Sequence, residues 1–546
     1  MTRIKVHAAL ACALADHGVD TLFGLAGDAN LFFIDYFIRE KAGTYVAAAH
    51  EAGAVLMAGG FASVSGRVGV ATVTHGPALT NTVTALAENV RSRTPLVLIA
   101  GDTPSAEKEN LQDIDQQPVV APTGAGFEPV RSPEAIADDL AVAMRRALTE
   151  RRPVVLNVPV QYQWADIDYR PAALRVAGPQ ALAPDPKVLD QAMGILAYAK
   201  RPIVLAGRGA TAPGAREALL HLAERIGAPV ATTLKARDLF RGDPYDLGIF
   251  GNLSHQVASE AIEQSDCVIA FGASLNKWTT MSGTLLAGKK VIHCDTDPAA
   301  LGRLSPFDVA VLGDARTVAE TILAWLDEAA IAPSSFRSER LGQELAGYRP
   351  AFRDHGTAGT VDLRALLLRL EQEVPRDRVL VTDGGQYIFD TLRLLHVENP
   401  SSYVHTVNFG SIGLGMGSAI GASFAAPGRP VLLITGDGGF TLGGLTEFNT
   451  AVRHGIDLIV VVCNNHCYGP EYVHFESRNM SPALSLFDWP DFAPVAQALG
   501  GTGLTVRNAR DLDLLPEAIA RRDGPLLIDA KLDPARVEPE REPRTR

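Results

Sequence analysis

The residue types best suited to chemistry lie at Gly436-Asp437-Gly438-Gly439-Phe440 and, after twenty-five residues beyond Gly438, at Asn464-Asn465. Aspartate offers a charged, hard oxygen and asparagine a neutral carbonyl oxygen. Such a pair suits Mg²⁺, which takes near-octahedral oxygen ligands and is usually held by a few protein oxygens together with phosphates. The glycines let the backbone approach those phosphates closely. The apolar run Val431–Thr435 leads into the first motif and Leu458–Cys463 into the second. As neighbouring parallel strands they would carry both ligands at carboxyl ends of a sheet, where open α/β sheets bind ligands. A lone Gly-Asp-Gly says little; the two motifs at this spacing, each closing an apolar run, are specific.

Other side chains stand where chemistry is possible. Glu51 follows a strand-like run, Thr44–Ala49, and opens an alanine- and glycine-rich stretch with few charges nearby. Its carboxyl reads either as a buried acid, whose pKa burial raises, or as a helix-start glutamate favoured by the helix dipole. Asp28 follows Gly27 at a turn, and Glu471 lies six residues past Asn465 at a helix start. His75, in Thr74-His75-Gly76-Pro77, fits a polar site group or a packed loop residue. Gly415, Gly417 and Gly421 read as close helix packing.

These groups need a frame, and three successive blocks of alternating strand and helix patterns supply one, as βαβ units over parallel sheets do. Residues 1–165 carry strand-like runs at Thr21–Gly24, Val68–Thr74, Leu96–Ala100 and Val154–Val158. The proline- and alanine-rich stretch Arg170–Val188 reads as a linker. The second block, 186–335, has runs at Pro202–Ala206, Pro229–Thr233, Cys267–Phe271 and Val291–Asp295, followed by a polar connection, Pro333–Gly359. The third, 360–535, has Val379–Thr382, Val431–Thr435, Leu458–Cys463 and Leu526–Ala530. The charged, proline-rich segment from Pro534 onward reads as a frayed arm.

Bulk properties narrow the function. A chain of 546 residues with 47% hydrophobic and 21% charged residues is that of a multidomain globular protein. A net charge of −12 argues against nucleic acid as partner, and no apolar run is long enough to span a bilayer. Met1–Asp20 reads as one amphipathic helix; with Asp16 and His17 inside its apolar stretch and no small-residue cleavage site, it does not read as a signal peptide. Cys12, Cys267, Cys294, Cys463 and Cys467 have the spacing of neither a zinc site nor a redox pair. Three of them lie in or beside apolar runs, where a thiol behaves as a small hydrophobe. The expected setting is the cytoplasm.

The Asp437 and Asn465 motifs together resemble the thiamine diphosphate signature of the pyruvate decarboxylase, acetolactate synthase and benzoylformate decarboxylase superfamily. The resemblance runs over nearly the whole chain. It implies three α/β domains with parallel sheets, a pyrimidine-binding first domain and a diphosphate-binding third domain of one architecture around a Rossmann-like middle domain. It implies Mg²⁺ on Asp437, Asn465 and the backbone carbonyl of Cys467, since the family uses the second asparagine and magnesium does not select sulfur. Gly436, Gly438, Gly439 and Tyr468 would lie along the diphosphate. Thr382–Tyr387 resembles a further diphosphate-side loop, with Gly384, Gly385 and Gln386 nearest the phosphates.

The stretch from His50 to Ala62 resembles the segment whose glutamate, here Glu51, exchanges a proton with the cofactor's aminopyrimidine ring. Gly410-Ser411-Ile412 resembles the turn in which a glycine carbonyl accepts from that ring and a bulky residue wedges the cofactor into a bent shape. Ile412 would be the wedge, and its branched side chain has little χ1 freedom. Phe23–Asp35 resembles the decarboxylase segment that carries the counterpart of Asp28, and the decarboxylases place a catalytic glutamate at the offset of Glu471. Both would handle proton transfer on the substrate side, one as acid and one as base. The decarboxylases also carry adjacent histidines; Glu109–Val120 has none, and Gln112 resembles the glutamine of acetolactate synthases. His75 occupies a loop where related enzymes put polar active-site groups. The chain mixes two branches, which leaves open whether the second half-reaction delivers a proton and releases an aldehyde or joins a second carbonyl compound.

In the middle block, Ala206–Ala215 and Gly272–Thr280 follow strand-like runs. Acetolactate synthases bind FAD in this domain and oxalyl-CoA decarboxylase binds ADP. Gly272–Thr280 lacks the arginine- and aspartate-rich run of the FAD branch, and glycines after a strand are a weak signal alone, so a structural middle domain is expected. In this family the counterparts of Glu51 and Asp437 meet across subunits, which implies a homodimer or homotetramer with shared sites. The expected activity is non-oxidative decarboxylation of a 2-oxo acid, with aldehyde release or carboligation to an aldehyde or a second 2-oxo acid. Acetolactate synthase-type carboligation and 2-hydroxyacyl-CoA lysis are the alternatives, the latter lacking a basic C-terminal segment for CoA phosphates.

Overall fold

A computed structural model describes residues 2–107, 109–178, 180–350 and 352–536. These build three six-stranded sheets, each wholly parallel. The first sheet runs Thr44–Ala47, Thr21–Gly24, Gly69–Val73, Leu96–Asp102, Val154–Pro159, Gly126–Pro129 in space. The third runs Tyr403–His405, Val379–Thr382, Val431–Gly436, Leu458–Asn464, Leu526–Lys531, Thr502–Val506. With strands numbered by chain order within each sheet, both read 2-1-3-4-6-5, so the first and third domains share one topology. The middle sheet, Asp246–Ile249, Val230–Thr232, Pro202–Ala206, Cys267–Phe271, Lys290–Asp295, Val309–Leu312, reads 3-2-1-4-5-6, the order of doubly wound dinucleotide folds.

Parallel sheets are covered by helices on both faces, so their inner strands are continuous apolar runs; every residue of Gly69–Val73, Pro202–Ala206 and Cys267–Phe271 is buried. The runs expected from the sequence are strands, with ends shifted by a residue or two. The unexpected strands Gly126–Pro129, Asp246–Ile249, Val309–Leu312, Tyr403–His405 and Thr502–Val506 all lie at sheet edges.

Two expectations are corrected. Met1–Asp20 is not one helix: Thr2–Lys5 pairs antiparallel with Asp166–Tyr169, and the helix is Val6–Asp16. The polar connection 333–359 contains a helix, Glu339–Gly347, whose N-cap Ser338 accepts from the amide of Leu341. Of the C-terminal arm, Pro534–Arg536 form a helical turn; residues 537–546 lie outside the described residues. Among the described residues no helix is long and apolar enough to cross a membrane.

The chain gathers into two bodies. One unites the first and third sheets; the other comprises Gly178–Arg353 with the short return His396–Pro400. Asp238 holds that return, bonding His396 Nδ1 at 2.8 Å and accepting from the Val397 amide at 3.1 Å. In the same body Gly207, Gly209 and Gly272 face one another. A methyl on Gly207 would lie 2.2 Å from the Gly272 carbonyl oxygen, so these strand-end glycines serve loop-to-loop packing.

In the body that unites the first and third domains, the Glu51–Ser65 and Gly415–Ala425 helices cross with their backbones nearly touching. A methyl on Gly421 would come within 1.8 Å of the Met57 carbonyl oxygen, and one on Gly60 within 2.0 Å of that of Ser418. One apolar core runs through both domains, joining Phe23, Val55 and Met57 to Ile420, Phe440 and Phe448.

Candidate active site

Strand register sets the two motifs side by side. Val431–Gly436 pairs with Leu458–Cys463 residue for residue, so the chain leaves the sheet at Asp437 and, one strand over, at Asn465. Asp437 is 2% exposed. Its Oδ1 accepts from the Gly438 amide at 2.6 Å, while Oδ2 is buried with no hydrogen-bond partner among the described residues. Burial pushes its pKa up to about 6, opposed by the nearby amides of Gly438, His466, Asn465 and Cys467. A buried carboxylate oxygen without a partner is costly, and a cation would satisfy it.

The two asparagines are used differently. Asn464 is fully buried and its Nδ2 donates to Asp529 Oδ1 at 3.0 Å; its Oδ1 has no partner among the described residues. Asn465 is half-buried past the strand end, and its Oδ1 takes only a long bond from the Cys467 amide, 3.3 Å. Asn465 is thus the one less committed to the fold. Burial pushes the Cys467 thiol up to about 12, so this residue has a main-chain carbonyl, not a thiolate, to offer. Among the described residues no three His, Cys, Asp or Glu side chains gather as a metal site. A cation at Asp437 would therefore complete its shell with amide and carbonyl oxygens and with phosphate, as Mg²⁺ does.

Asp383, absent from the sequence candidates, organises the neighbouring loops. Fully buried at the end of Val379–Thr382, its carboxylate accepts from the Gly384 amide at 2.7 Å, the Gly413 amide at 3.0 Å and Thr435 Oγ1 at 3.2 Å. Burial pushes its pKa up, and these donors oppose the rise. The Gly384–Gln386 loop is thereby pinned to the Gly410–Gly413 turn, and a methyl on Gly384 would touch Ile412 Cγ2 at 3.1 Å. Gly413 has φ 82°, a conformation costly for other residues. Gln386 Oε1 is buried without a partner among the described residues and would meet a methyl on Gly469 at 2.6 Å; one on Gly438 would strike the Tyr468 ring at 2.3 Å. Gly384, Gln386, Ile412, Asp437, Gly438, Asn465 and Tyr468 thus gather at the carboxyl end of the third sheet. The signal for Asp383 was present: Asp-Gly-Gly closes an apolar run there, as it does at Asp437. Asp383→Ala is expected to lower unfolding free energy by about 1–3 kcal/mol for each buried amide left unpaired, read by denaturant unfolding of the cofactor-free chain.

At the matching end of the first sheet three further candidates meet. Thr74 Oγ1 donates to Asp28 Oδ1 at 3.0 Å, and His75 Nε2 lies 3.9 Å from Asp28 Oδ2. His75 is buried and Asp28 exposed. The Gln112 backbone packs on the same loop, its carbonyl oxygen 2.1 Å from where a methyl on Gly76 would sit. Gln116, which nothing in the sequence sets apart from Gln117, fastens this loop: Oε1 accepts from the Gly76 amide at 3.0 Å and Nε2 donates to the Gly101 carbonyl at 2.8 Å.

Glu51 opens its helix as expected, but it is half-buried, not buried, and Oε2 accepts from Asn81 Nδ2 at 3.0 Å. Of its two readings the structure shows the helix-start glutamate, and the buried part of the helix is its body, Gly53–Ala62. Glu471 lies exposed in the first turn of the Gly469–Glu476 helix. Beside that helix Tyr468 packs on Phe487 at 4.5 Å between centroids, and Phe487 stacks on Trp489 at 5.1 Å. Among the described residues no hydrogen bond or ion pair joins Glu51 to the third-sheet loops, or Glu471 to Asp28 and His75.

Three parallel-sheet domains, the outer two alike, have the architecture of thiamine-dependent enzymes, and comparison with known proteins agrees. Residues 4–119 match the N-terminal thiamine pyrophosphate-binding domain, 189–322 the central domain and 383–530 the C-terminal binding domain of thiamine pyrophosphate enzymes. The chain belongs to the thiamine pyrophosphate enzyme family. It is 30% identical over 548 residues to a probable acetolactate synthase large subunit of Methanocaldococcus jannaschii, covering 96% of this chain and 92% of that one. It is 32% identical to a probable 2-ketoarginine decarboxylase of Pseudomonas aeruginosa over 93% of this chain and 90% of the other. With a sulfoacetaldehyde acetyltransferase of Castellaniella defragrans it shares 30% identity over 91% and 87% of the two chains.

Proposed function

We propose that the protein is a Mg²⁺- and thiamine diphosphate-dependent enzyme that removes CO₂ from a 2-oxo acid and releases an aldehyde, or joins the remainder to a second carbonyl compound. The observation that carries this reading is the buried Oδ2 of Asp437 at the end of a central strand, without a hydrogen-bond partner among the described residues. When bound, the cofactor supplies the electron sink for the bond that breaks. Asp437, Asn465 and the Cys467 carbonyl hold the cation and so the diphosphate, flanked by Gly436, Gly438, Gly439, Tyr468 and the Gly384–Gln386 loop. The Gly410 carbonyl and Ile412, with Ser411 between them, hold the pyrimidine end. Glu51 holds and moves the proton there.

A second copy completes the site. The partner of Glu51 in its own chain is Asn81, while the Gly410–Gly413 turn is flanked by Phe409, 45% exposed, and Leu442, 68% exposed. Exposed apolar surface of this kind suits an interface, so the reading includes a homodimer or homotetramer, along with domains at 1–165, 186–335 and 360–535 and a cytoplasmic location.

Asp28 and His75, 3.9 Å apart, would face the substrate from the same end of the first sheet. Glu471→Gln cannot deliver a proton and is expected to slow aldehyde release more than CO₂ release. Following the two products separately within a single turnover checks this, and equal slowing there would remove Glu471 from the second half-reaction. Carboligation of the acetolactate synthase type is supported instead by Gln112 beside His75 and by the names of several relatives. The deciding experiment incubates the protein, loaded with Mg²⁺ and thiamine diphosphate, with a panel of 2-oxo acids, with and without aldehydes. Free aldehyde supports the first reading and a 2-hydroxy ketone or acetohydroxy acid the second. No CO₂ from any acid sinks both.

A further inference from the structure

Two buried carboxylates with no role so far cross between the first and third domains in opposite directions. Glu447, on the Leu445–Arg453 helix of the third domain, is 2% exposed. Its Oε1 accepts from the His50 amide at 3.0 Å and the Ala49 amide at 3.1 Å. Oε2 also lies 3.2 Å from the Ala49 amide. Glu88, on the Val83–Ser92 helix of the first domain, is 4% exposed. Its Oε2 accepts from the Phe409 amide at 2.7 Å, and its Oε1 from the Asn408 amide at 3.2 Å and Asn408 Nδ2 at 2.6 Å. Each carboxylate therefore holds the two backbone amides directly ahead of a segment assigned to the cofactor: Ala49–His50 before Glu51, and Asn408–Phe409 before Gly410–Ile412.

Docking of the domains does not need these bonds, because the helix crossing at Gly60 and Gly421 and the shared apolar core already supply it. What a buried carboxylate adds is direction. Charge-assisted bonds to backbone N–H groups are short and strong, and a shift of either side chain leaves an amide unpaired in the interior. A glutamine in either place turns an N–H donor toward an amide that is itself a donor.

We propose that Glu447 and Glu88 are reciprocal positioning residues, each fixing from the opposite domain the backbone that aims Glu51 or the Ile412 wedge. Neither touches the reacting atoms. The inference rests on the roles proposed above for Glu51 and Ile412.

The test has two parts. Amide hydrogen exchange on the cofactor-free full-length protein should rise about tenfold at residues 49–50 in Glu447→Gln with 408–409 unchanged, and at 408–409 in Glu88→Gln with 49–50 unchanged, the size expected for one lost bond. In protein loaded with Mg²⁺ and thiamine diphosphate, both variants should slow hydrogen exchange at the C2 position of the bound cofactor by about 10–100-fold, as a displacement near 1 Å does. Cofactor affinity by calorimetry should stay within about threefold of wild type. Glu447→Asp, one methylene short, should show the same pattern and keeps the test open if a glutamine variant does not fold. Unchanged amide exchange overturns the inference, and so does faster amide exchange with wild-type C2 exchange. If instead wild type fails to bind thiamine diphosphate, or Glu51→Gln exchanges C2 normally, the functional reading fails while the amide result stands on its own.

Discussion

Glu51→Gln is expected to cut turnover by about 10²–10⁴-fold, the range for loss of a positioned proton-transfer group, with cofactor affinity close to wild type. The substitution keeps size and hydrogen-bonding capacity, so the bond from Asn81 survives and the helix start is undisturbed. What disappears is the ability to gain and lose a proton. Steady-state kinetics beside a cofactor titration separates the two quantities. Turnover like that of wild type would remove Glu51 from the chemistry.

Asp437→Asn should fail earlier, at binding. Removing one side of a buried charge interaction costs about 2–5 kcal/mol, equivalent to roughly 30–4,000-fold in affinity for thiamine diphosphate with Mg²⁺. The cofactor-free protein should not lose stability in parallel. Oδ2 has no hydrogen-bond partner among the described residues and burial already pushes the pKa to about 6, so a neutral amide should relieve that cost. Calorimetric titration and a thermal midpoint, measured on the same preparation, check both halves. A large drop in midpoint with affinity intact would make Asp437 a residue of the fold and not of the site.

The contrast between what could and could not be read from the chain has a physical origin. Asp437 and Asn465 were legible because central strands of a parallel sheet are buried on both faces, so an apolar run followed by a ligand-type residue is one contiguous signal. Tyr403–His405 and Thr502–Val506 were not, because each is an edge strand, short or only partly buried. Asp383 lay within sight, beside glycines already singled out. Glu88, Gln116 and Glu447 lay beyond reach for another reason: their importance is in what they meet. Glu447 bonds an amide nearly four hundred positions away, and no local pattern encodes such a meeting. Which of its two readings holds for Glu51 was not legible, because the scarcity of charge around it describes the interior turns of its helix and not the first one.

Where Gly60 and Gly421 let two helices cross main chain to main chain, there is no volume in which any larger residue could be accommodated by repacking. Anyone seeking altered selectivity by directed evolution should hold that seam constant and leave both glycines out of the randomised positions.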